Sequence, residues 1–296
     1  MPEKTPCPEV GIYENVPEEL YRSWDCPSQS QLSLFRDPDR CELEVQYALD
    51  NPPESNDAMR LGTEVENALD GIQVHQNVKC LPDHIKVRRG KAWDEFKEGN
   101  PGIDWLPKSE YATFGEHIKQ VGDIVASVKR HDLAMKLLDG AKRQVSFVWD
   151  APCPSMSGDI VKHRVKGRLD YLKPGVIADL KTTSFGSQRR VGQWAWAHAW
   201  DIQAALYNDA MDDLLGVEHD FYFIVVRTSP PYVVTMYNGW HTTEAAGMFR
   251  EIGRASYQIT LERLAECRRT GEWNGYFAPD NPDSRVLDFQ LPNYAG

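Results

Sequence analysis

One stretch, residues 166–183 with the sequence KGRLDYLKPGVIADLKTT, limits the fold more than any other. Gly167-Arg168-Leu169-Asp170 opens it, an apolar run Val176-Ile177-Ala178 leads into Asp179-Leu180-Lys181, and Pro174-Gly175 lies between. Read as two strands of a hairpin turned at Pro174-Gly175, the side chains alternate between faces. Asp179 and Lys181 then share one face, Leu180 points the other way into a core, and Asp170 lies on the partner strand within reach of an ion shared with Asp179. Two carboxylates and an ammonium converging on one point build a core badly. They suit a hard divalent cation and a water held against a phosphate, the chemistry of a metal-dependent nuclease.

Around this hairpin the period of the chain changes twice. Residues 11–51 read as short elements: an extended Gly11-Ile12-Tyr13, a helical turn over 16–21, a helix from Ser28 that stops before Pro38, and a helix carrying Leu43, Val45 and Leu49 that Asn51-Pro52-Pro53 ends. Residues 59–69 fit a helix with Leu61, Val65, Ala68 and Leu69 on one face. Gly62 inside it costs about 1 kcal/mol relative to Ala, which a close backbone approach would explain. Glu66 falls one turn later and, taken alone, reads as a surface carboxylate. Residues 85–88 read as a short strand and 91–99 as a polar, aromatic-punctuated helix or loop. Helical periodicity with Ile118, Val121, Ile124, Val125 and Val128 fills 110–138, with a second short helix at its end closed by Gly140. Strands follow over 144–149, 163–172 and 176–182, then one helix over 191–215, strands over 221–226 and 232–237, and a last helix over 242–269. This order describes an α/β fold, a central sheet flanked by helices. An N-terminal segment of short helices, 1–58, packs on a core of 59–296, and the two make one domain.

Composition narrows the partners. A chain of 296 residues, 41% hydrophobic and 26% charged, is ample for a core and ordinary in kind. No apolar run approaches the roughly 20 residues that cross a bilayer, and MPEKTPCPEV has no signal pattern, so a cytoplasmic location without membrane contact is expected. Six cysteines are scattered with no C-x-x-C pair. That speaks against a structural zinc or ferredoxin-type cluster and predicts reduced, mostly buried thiols. The net charge of −11 argues against coating nucleic acid by bulk electrostatics. Residues 162–190 nevertheless hold eight basic against two acidic side chains, net +6, so the candidate site is locally basic.

Asp-x-Lys alone is uninformative, and it gains weight from the helix on its C-terminal side. Trp196, Trp200, Gln203 and Tyr207 recur at spacings of four, three and four and make one stripe on the helix over 191–215. The tryptophans of that stripe read as core-facing. Gln203 does not, because an amide buried without a partner costs roughly 1–3 kcal/mol; a metal-site carboxylate, Lys181 or a phosphate would satisfy it. Rival chemistries find no support. The eight histidines form no H-x-x-x-H or H-E-x-x-H pattern, and the chain has no P-loop, G-x-S-x-G elbow or dinucleotide fingerprint.

In this order and on these elements, Asp170, Asp179-x-Lys181 and Gln203-x-x-x-Tyr207 resemble the motifs of the PD-(D/E)xK nuclease superfamily, and within it the nuclease domain of the phage RecE-like exodeoxyribonuclease VIII group. The similarity runs from Gly11-Ile12-Tyr13 to Gly271-Glu272-Trp273. It implies a restriction-endonuclease-like core and catalytic roles for Asp170, Asp179, Lys181, Gln203 and Tyr207. It also implies Mg²⁺ or Mn²⁺ held by Glu66, Asp170, Asp179 and the Leu180 carbonyl, with Lys166, Arg168, Arg189 and Arg190 on DNA phosphates. Relatives carry a histidine in a G-x-x-x-H helix where this chain has Glu66; some superfamily members use a glutamate there. The implied activity is 5′→3′ degradation of linear double-stranded DNA from its ends by a homo-oligomeric ring. The 3′ overhang would pass to a single-strand annealing protein. A structure-specific or restriction-type endonuclease on the same fold is the alternative. A catalytically dead DNA-binding subunit is a weaker one, against which the intact Asp170, Asp179 and Lys181 speak.

Overall fold

The structure, a computed structural model, describes residues 4–37, 39–72, 75, 77–85, 88–155, 158–239 and 244–276. In chain order the elements are β1 (Gly11–Tyr13), α1 (Glu18–Ser23), α2 (Gln29–Leu32) with a 3-10 turn (Ser33–Arg36), α3 (Glu42–Asp50), α4 (Asp57–Leu69), β2 (Val78–Cys80), α5 (Lys91–Glu98) and β3 (Asp104–Leu106). Then come α6 (Lys108–Lys129), α7 (Asp132–Leu138), β4 (Lys142–Pro154), β5 (Ile160–Lys173), β6 (Val176–Thr183), α8 (Gln188–Ala197), α9 (Trp200–Leu215), β7 (Asp220–Arg227), β8 (Val234–Asn238) and α10 (Glu244–Thr270). Six strands form one mixed sheet in the order β1-β4-β5-β6-β7-β8, while β2 and β3 pair separately. Within the large sheet β6 and β7 run parallel and the other neighbours antiparallel.

The parallel pair explains the two unbroken apolar runs. Strands β6 and β7 lie mid-sheet with both faces covered, so they are apolar on both sides rather than alternating. On one face Phe147, Leu169, Ile177 and Phe221 pack against Ile202 and Leu206 of α9 and Tyr257 of α10. On the other, Tyr171, Ala178, Leu180 and Ile224 pack against Leu61 and Val65 of α4 and Val121 and Ile124 of α6. The N-terminal residues Leu32, Phe35 and Val45 belong to the first of these cores. Helix α10 crosses α9 at backbone distance: a Cβ on Gly253 would strike the Asp201 carbonyl.

Three expectations change. The helix over 191–215 is two helices, broken where Ala199 takes a left-handed φ of 53°. Ala199 is fully buried, and its carbonyl accepts from Gln29 Nε2 at 3.1 Å. The break splits the aromatic stripe: Trp200 is buried, but Trp196 is 49% exposed and is no core residue. The cysteines are not all reduced. A bridge between Thr5 and Trp24 lays two segments side by side, which brings Cys7 and Cys26 to a Cα separation of 5.6 Å and into a disulfide. Cys41, Cys153 and Cys267 are buried free thiols and Cys80 is half-buried. A short strand lies at Val78–Cys80; Lys86 and Val87, at the centre of the strand expected over 85–88, fall outside the described residues, as does Thr242 at the expected start of the last helix. Among the described residues no helix is long and apolar enough to cross a membrane.

Candidate active site

The site is a fork in the sheet. Pairing between β5 and β6 covers Lys173↔Val176, Leu172↔Ile177 and Tyr171↔Ala178 and stops there, beyond the turn made by Gly175 at φ 74°. From that point β5 stays with β4 while β6 stays with β7. Asp170 and Asp179 are the first residues of the two diverging arms, and the Leu180 backbone N–H donates to Asp170 Oδ2 at 3.1 Å. Leu180 itself turns into the core beneath, so Asp179 and Lys181 face the opposite side. Helix α4 reaches the fork from one face. It crosses β6 where a Cβ on Gly62 would lie 3.4 Å from Thr182 Oγ1, one turn before Glu66.

From the other face α9 supplies Gln203. Its Nε2 donates to Asp179 Oδ1 at 2.6 Å, and the amide is 7% exposed. The Lys181 ammonium lies 2.7 Å from Asp179 Oδ2, a contact that leaves this buried oxygen without a directed hydrogen bond. Tyr207, one turn along α9, is equally buried, edge-on to Phe147 with ring centroids 5.4 Å apart. Its ring lies against the backbone of β5 at Gly167. Gly167 makes this possible, since a Cβ there would collide with Phe147 and sit 2.8 Å from the Tyr207 ring. The glycine of the G-R-L-D run thus serves packing rather than chemistry.

Electrostatics single out the carboxylates. Burial, then the charge of Asp179, raises the Glu66 carboxyl to about 7. Burial, then Glu66 and Asp179, pushes Asp170 well above the ordinary carboxylate range. For Lys181, burial pulls downward, but the neighbouring charges of Asp179 and Asp170 prevail and hold the ammonium protonated. Burial likewise keeps the Tyr207 hydroxyl protonated.

One neighbour was invisible in the sequence. Gln144 lies in β4 between the pairs Arg143↔Tyr171 and Val145↔Leu169, hence across from Asp170, and its backbone is left-handed at φ 47°. Its Nε2 donates to Glu66 Oε2 at 3.3 Å. A non-glycine residue in this region costs on the order of 1–3 kcal/mol and such residues gather at functional sites. The only sign in the sequence is an amide at the start of an apolar strand.

The basic side chains divide. Lys166 is buried, and its ammonium donates to the carbonyls of Tyr21, Arg22 and Trp24 at 2.9, 3.3 and 2.6 Å. Burial draws its pKa down to about 8. Arg168 donates to Ser146 Oγ at 3.0 Å, Glu18 Oε2 at 2.5 Å and the Val16 carbonyl at 3.0 Å. Both side chains are therefore spent holding the N-terminal segment on β5, in place of the phosphate contacts expected of them. Arg189 and Arg190 are exposed on α8.

Among the described residues no three His, Cys, Asp or Glu side chains stand ready as a closed ligand set. The donor chemistry nevertheless fits a hard cation. Glu66, Asp170 and Asp179 are all-oxygen donors, crowding raises the Glu66 and Asp170 carboxyls, and Asp179 Oδ2 is buried with no directed hydrogen bond beyond its ion pair with Lys181.

A mixed sheet that forks at two aspartates, with Asp-x-Lys on one arm and a Gln-x-x-x-Tyr helix across it, defines a PD-(D/E)xK-type fold. A family model described as a PDDEXK-like domain of unknown function matches residues 28–278, and the chain belongs to that family. The crystal structure of a "Putative exonuclease" from Eubacterium rectale is similar at a TM-score of 0.55 and 18% identity, over 90% of this chain and 91% of that one. The crystal structure of SSO0001 matches at a TM-score of 0.28 and 16% identity, over 72% of this chain and 84% of that one, too low to carry weight. No curated protein matches.

Proposed function

We propose that the protein is a metal-dependent exodeoxyribonuclease of the RecE-like kind. The observation that carries this reading is the convergence on one fork of Glu66, Asp170 and Asp179 with the Lys181 ammonium and the Gln203 amide. Glu66, Asp170, Asp179 and the Leu180 carbonyl would hold Mg²⁺ or Mn²⁺. Once bound, such an ion polarises a phosphodiester and lowers the pKa of a coordinated water. The chain's own residues do the rest. Lys181, kept protonated by Asp179, presents N–H donors to the attacking water and to the charge that develops on the phosphate. Gln203 fixes the rotamer of Asp179 through Oδ1, which leaves Oδ2 turned toward Lys181. Tyr207 packs against Phe147 of β4 and Gly167 of β5, behind the arm that carries Asp170.

The substrate on this reading is linear double-stranded DNA, degraded 5′→3′ to leave a 3′ overhang for a single-strand annealing partner, with a ring of subunits around the duplex. The structurally similar "Putative exonuclease" from Eubacterium rectale is in keeping with hydrolysis from ends. The test is a time course on duplexes labelled at either end, with Mg²⁺, comparing wild type with Asp179→Ala and Lys181→Ala. Label leaves the 5′ ends first, and both variants lose at least about a hundredfold in rate, as expected when a charge-stabilising group is removed. Undiminished release in both variants overturns the site. Release from 3′ ends first overturns the polarity, and cutting of closed circles overturns the end dependence.

A further inference from the structure

Helix α8 turns Val191 and Ala195 inward and leaves an outer face of arginine and tryptophan. Arg190 and Trp194 stand one turn apart with the cap residue His198 a turn beyond, and Arg189, Gln193 and Trp196 form a second row. Trp194 is 38% exposed and Trp196 49%. Both indoles are nevertheless held in place. The His198 ring stacks on Trp194 at 3.7 Å between centroids, and Phe185 meets it edge-on at 5.3 Å. The Arg36 guanidinium lies 3.5 Å over Trp196 and is itself fixed to buried Asp201 at 2.7 Å.

Two large half-exposed rings on one helix face, rimmed by arginine, are the kind of patch that a partner covers. The cover has a stated charge: α8, QRRVGQWAWA, carries no acidic residue in a chain of net charge −11. It begins at Gln188, just beyond the strand that carries Asp179 and Lys181. Two exposed arginines in the first turn, followed by two half-exposed indoles each backed on one side by His198 or Arg36, suit the phosphates and bases of an unpaired strand.

We propose that the outer face of α8 is a stacking platform for single-stranded DNA at the mouth of the fork. Arg189 and Arg190 take backbone phosphates, and Trp194 and Trp196 stack bases. The proposal rests on the nuclease reading and goes beyond it by assigning the unpaired strand a place.

The test is anisotropy of a fluorescein-labelled oligo(dT) with the full chain in EDTA, so that no strand is cut. Trp194→Ala and Trp196→Ala each weaken binding on the order of tenfold, and Trp194→Phe and Trp196→Phe keep most of it. The Arg189→Ala, Arg190→Ala double variant lowers the slope of log Kd against log salt by about 1.4, at roughly 0.7 per phosphate, while the tryptophan variants leave the slope unchanged. Absence of oligo(dT) binding in the wild type, or full affinity in both Trp→Ala variants, overturns the platform. Variants that lose self-association in sedimentation but bind oligo(dT) normally also overturn it, and make the face a protein interface. Linear-duplex digestion by the same preparations separates the two readings. A wild type that digests DNA while its Trp→Ala variants bind undiminished sinks the platform alone. A wild type that binds through the tryptophans without digesting sinks the nuclease reading alone.

Discussion

The crowding of Glu66, Asp170 and Asp179 makes a stability prediction that needs no substrate. Burial and the charge of Asp179 hold the Glu66 carboxyl at about 7, against an ordinary 4.5. At about 1.36 kcal/mol per pH unit, keeping Glu66 ionised in the folded protein costs up to about 3 kcal/mol. The sign follows from the proton. The folded state holds it more tightly than the unfolded chain, so the contribution to stability is complete below about pH 4.5 and is lost as the pH rises through about 7. Glu66→Gln keeps the shape of the side chain and removes the charge. In EDTA at about pH 8 the variant is therefore more stable than wild type, by about 1–3 kcal/mol. For a chain of this length that raises Tm by roughly 2–6 °C. The gain shrinks as the pH falls below 7, is about a quarter of its size at pH 5 and vanishes only below about pH 4.5. Urea or thermal unfolding across that range reads it directly. A variant no more stable than wild type at pH 8, or a gain that persists undiminished at pH 5, refutes the crowding argument.

Gln203→Leu strips the buried Asp179 of its Oδ1 donor and should cost about 1–3 kcal/mol in urea unfolding, with a loss of nuclease rate measured on the same preparation. Gly167→Ala drives a methyl into Phe147 and Tyr207, and the overpacking lowers stability by about 1–3 kcal/mol or more in the same assay. Reducing Cys7–Cys26, a bridge spanning 19 residues, removes about 3 kcal/mol by the chain-entropy account. Dithiothreitol and Cys7→Ser should lower Tm equally, and an unchanged midpoint in either would show that the bridge does not support the fold.

The parts of the site that could be read from sequence are those set by short periods. Alternation along 176–183 puts Asp179 and Lys181 on one face and Leu180 on the other, and the structure has them so. The four-residue step from Gln203 to Tyr207 puts both against β5 and β6. The mixed α/β fold, too, follows from the order of helical and strand periods. What escaped depends on distant contacts. Lys166 and Arg168 look like open phosphate ligands until residues 16–24 fold over them, a contact across some 140 residues of chain. The disulfide escaped for the same reason, since a bridge between Thr5 and Trp24 has no local signature.

The two sharpest failures of local reading share a cause. Gln144 and Ala199 are non-glycine residues with left-handed backbones, at φ 47° and 53°. A glycine would have announced either turn, whereas glutamine and alanine announce nothing, so a smooth strand and an unbroken helix are the natural expectations. Both residues flank the fork. The turn at Gln144 lies across from Asp170 and its amide reaches Glu66; the break at Ala199 swings α9 so that Gln203 meets Asp179 while α8 stays at the surface. Local propensity would relax each of them, and tertiary contacts hold them: the Ala199 carbonyl accepts from Gln29, and β4 is locked to β5 on both sides of Gln144. Asn15, His75 and Tyr232 hold the same backbone region elsewhere, so the strain alone marks no site; what sets Gln144 and Ala199 apart is that each places an amide on a different carboxylate of one cluster.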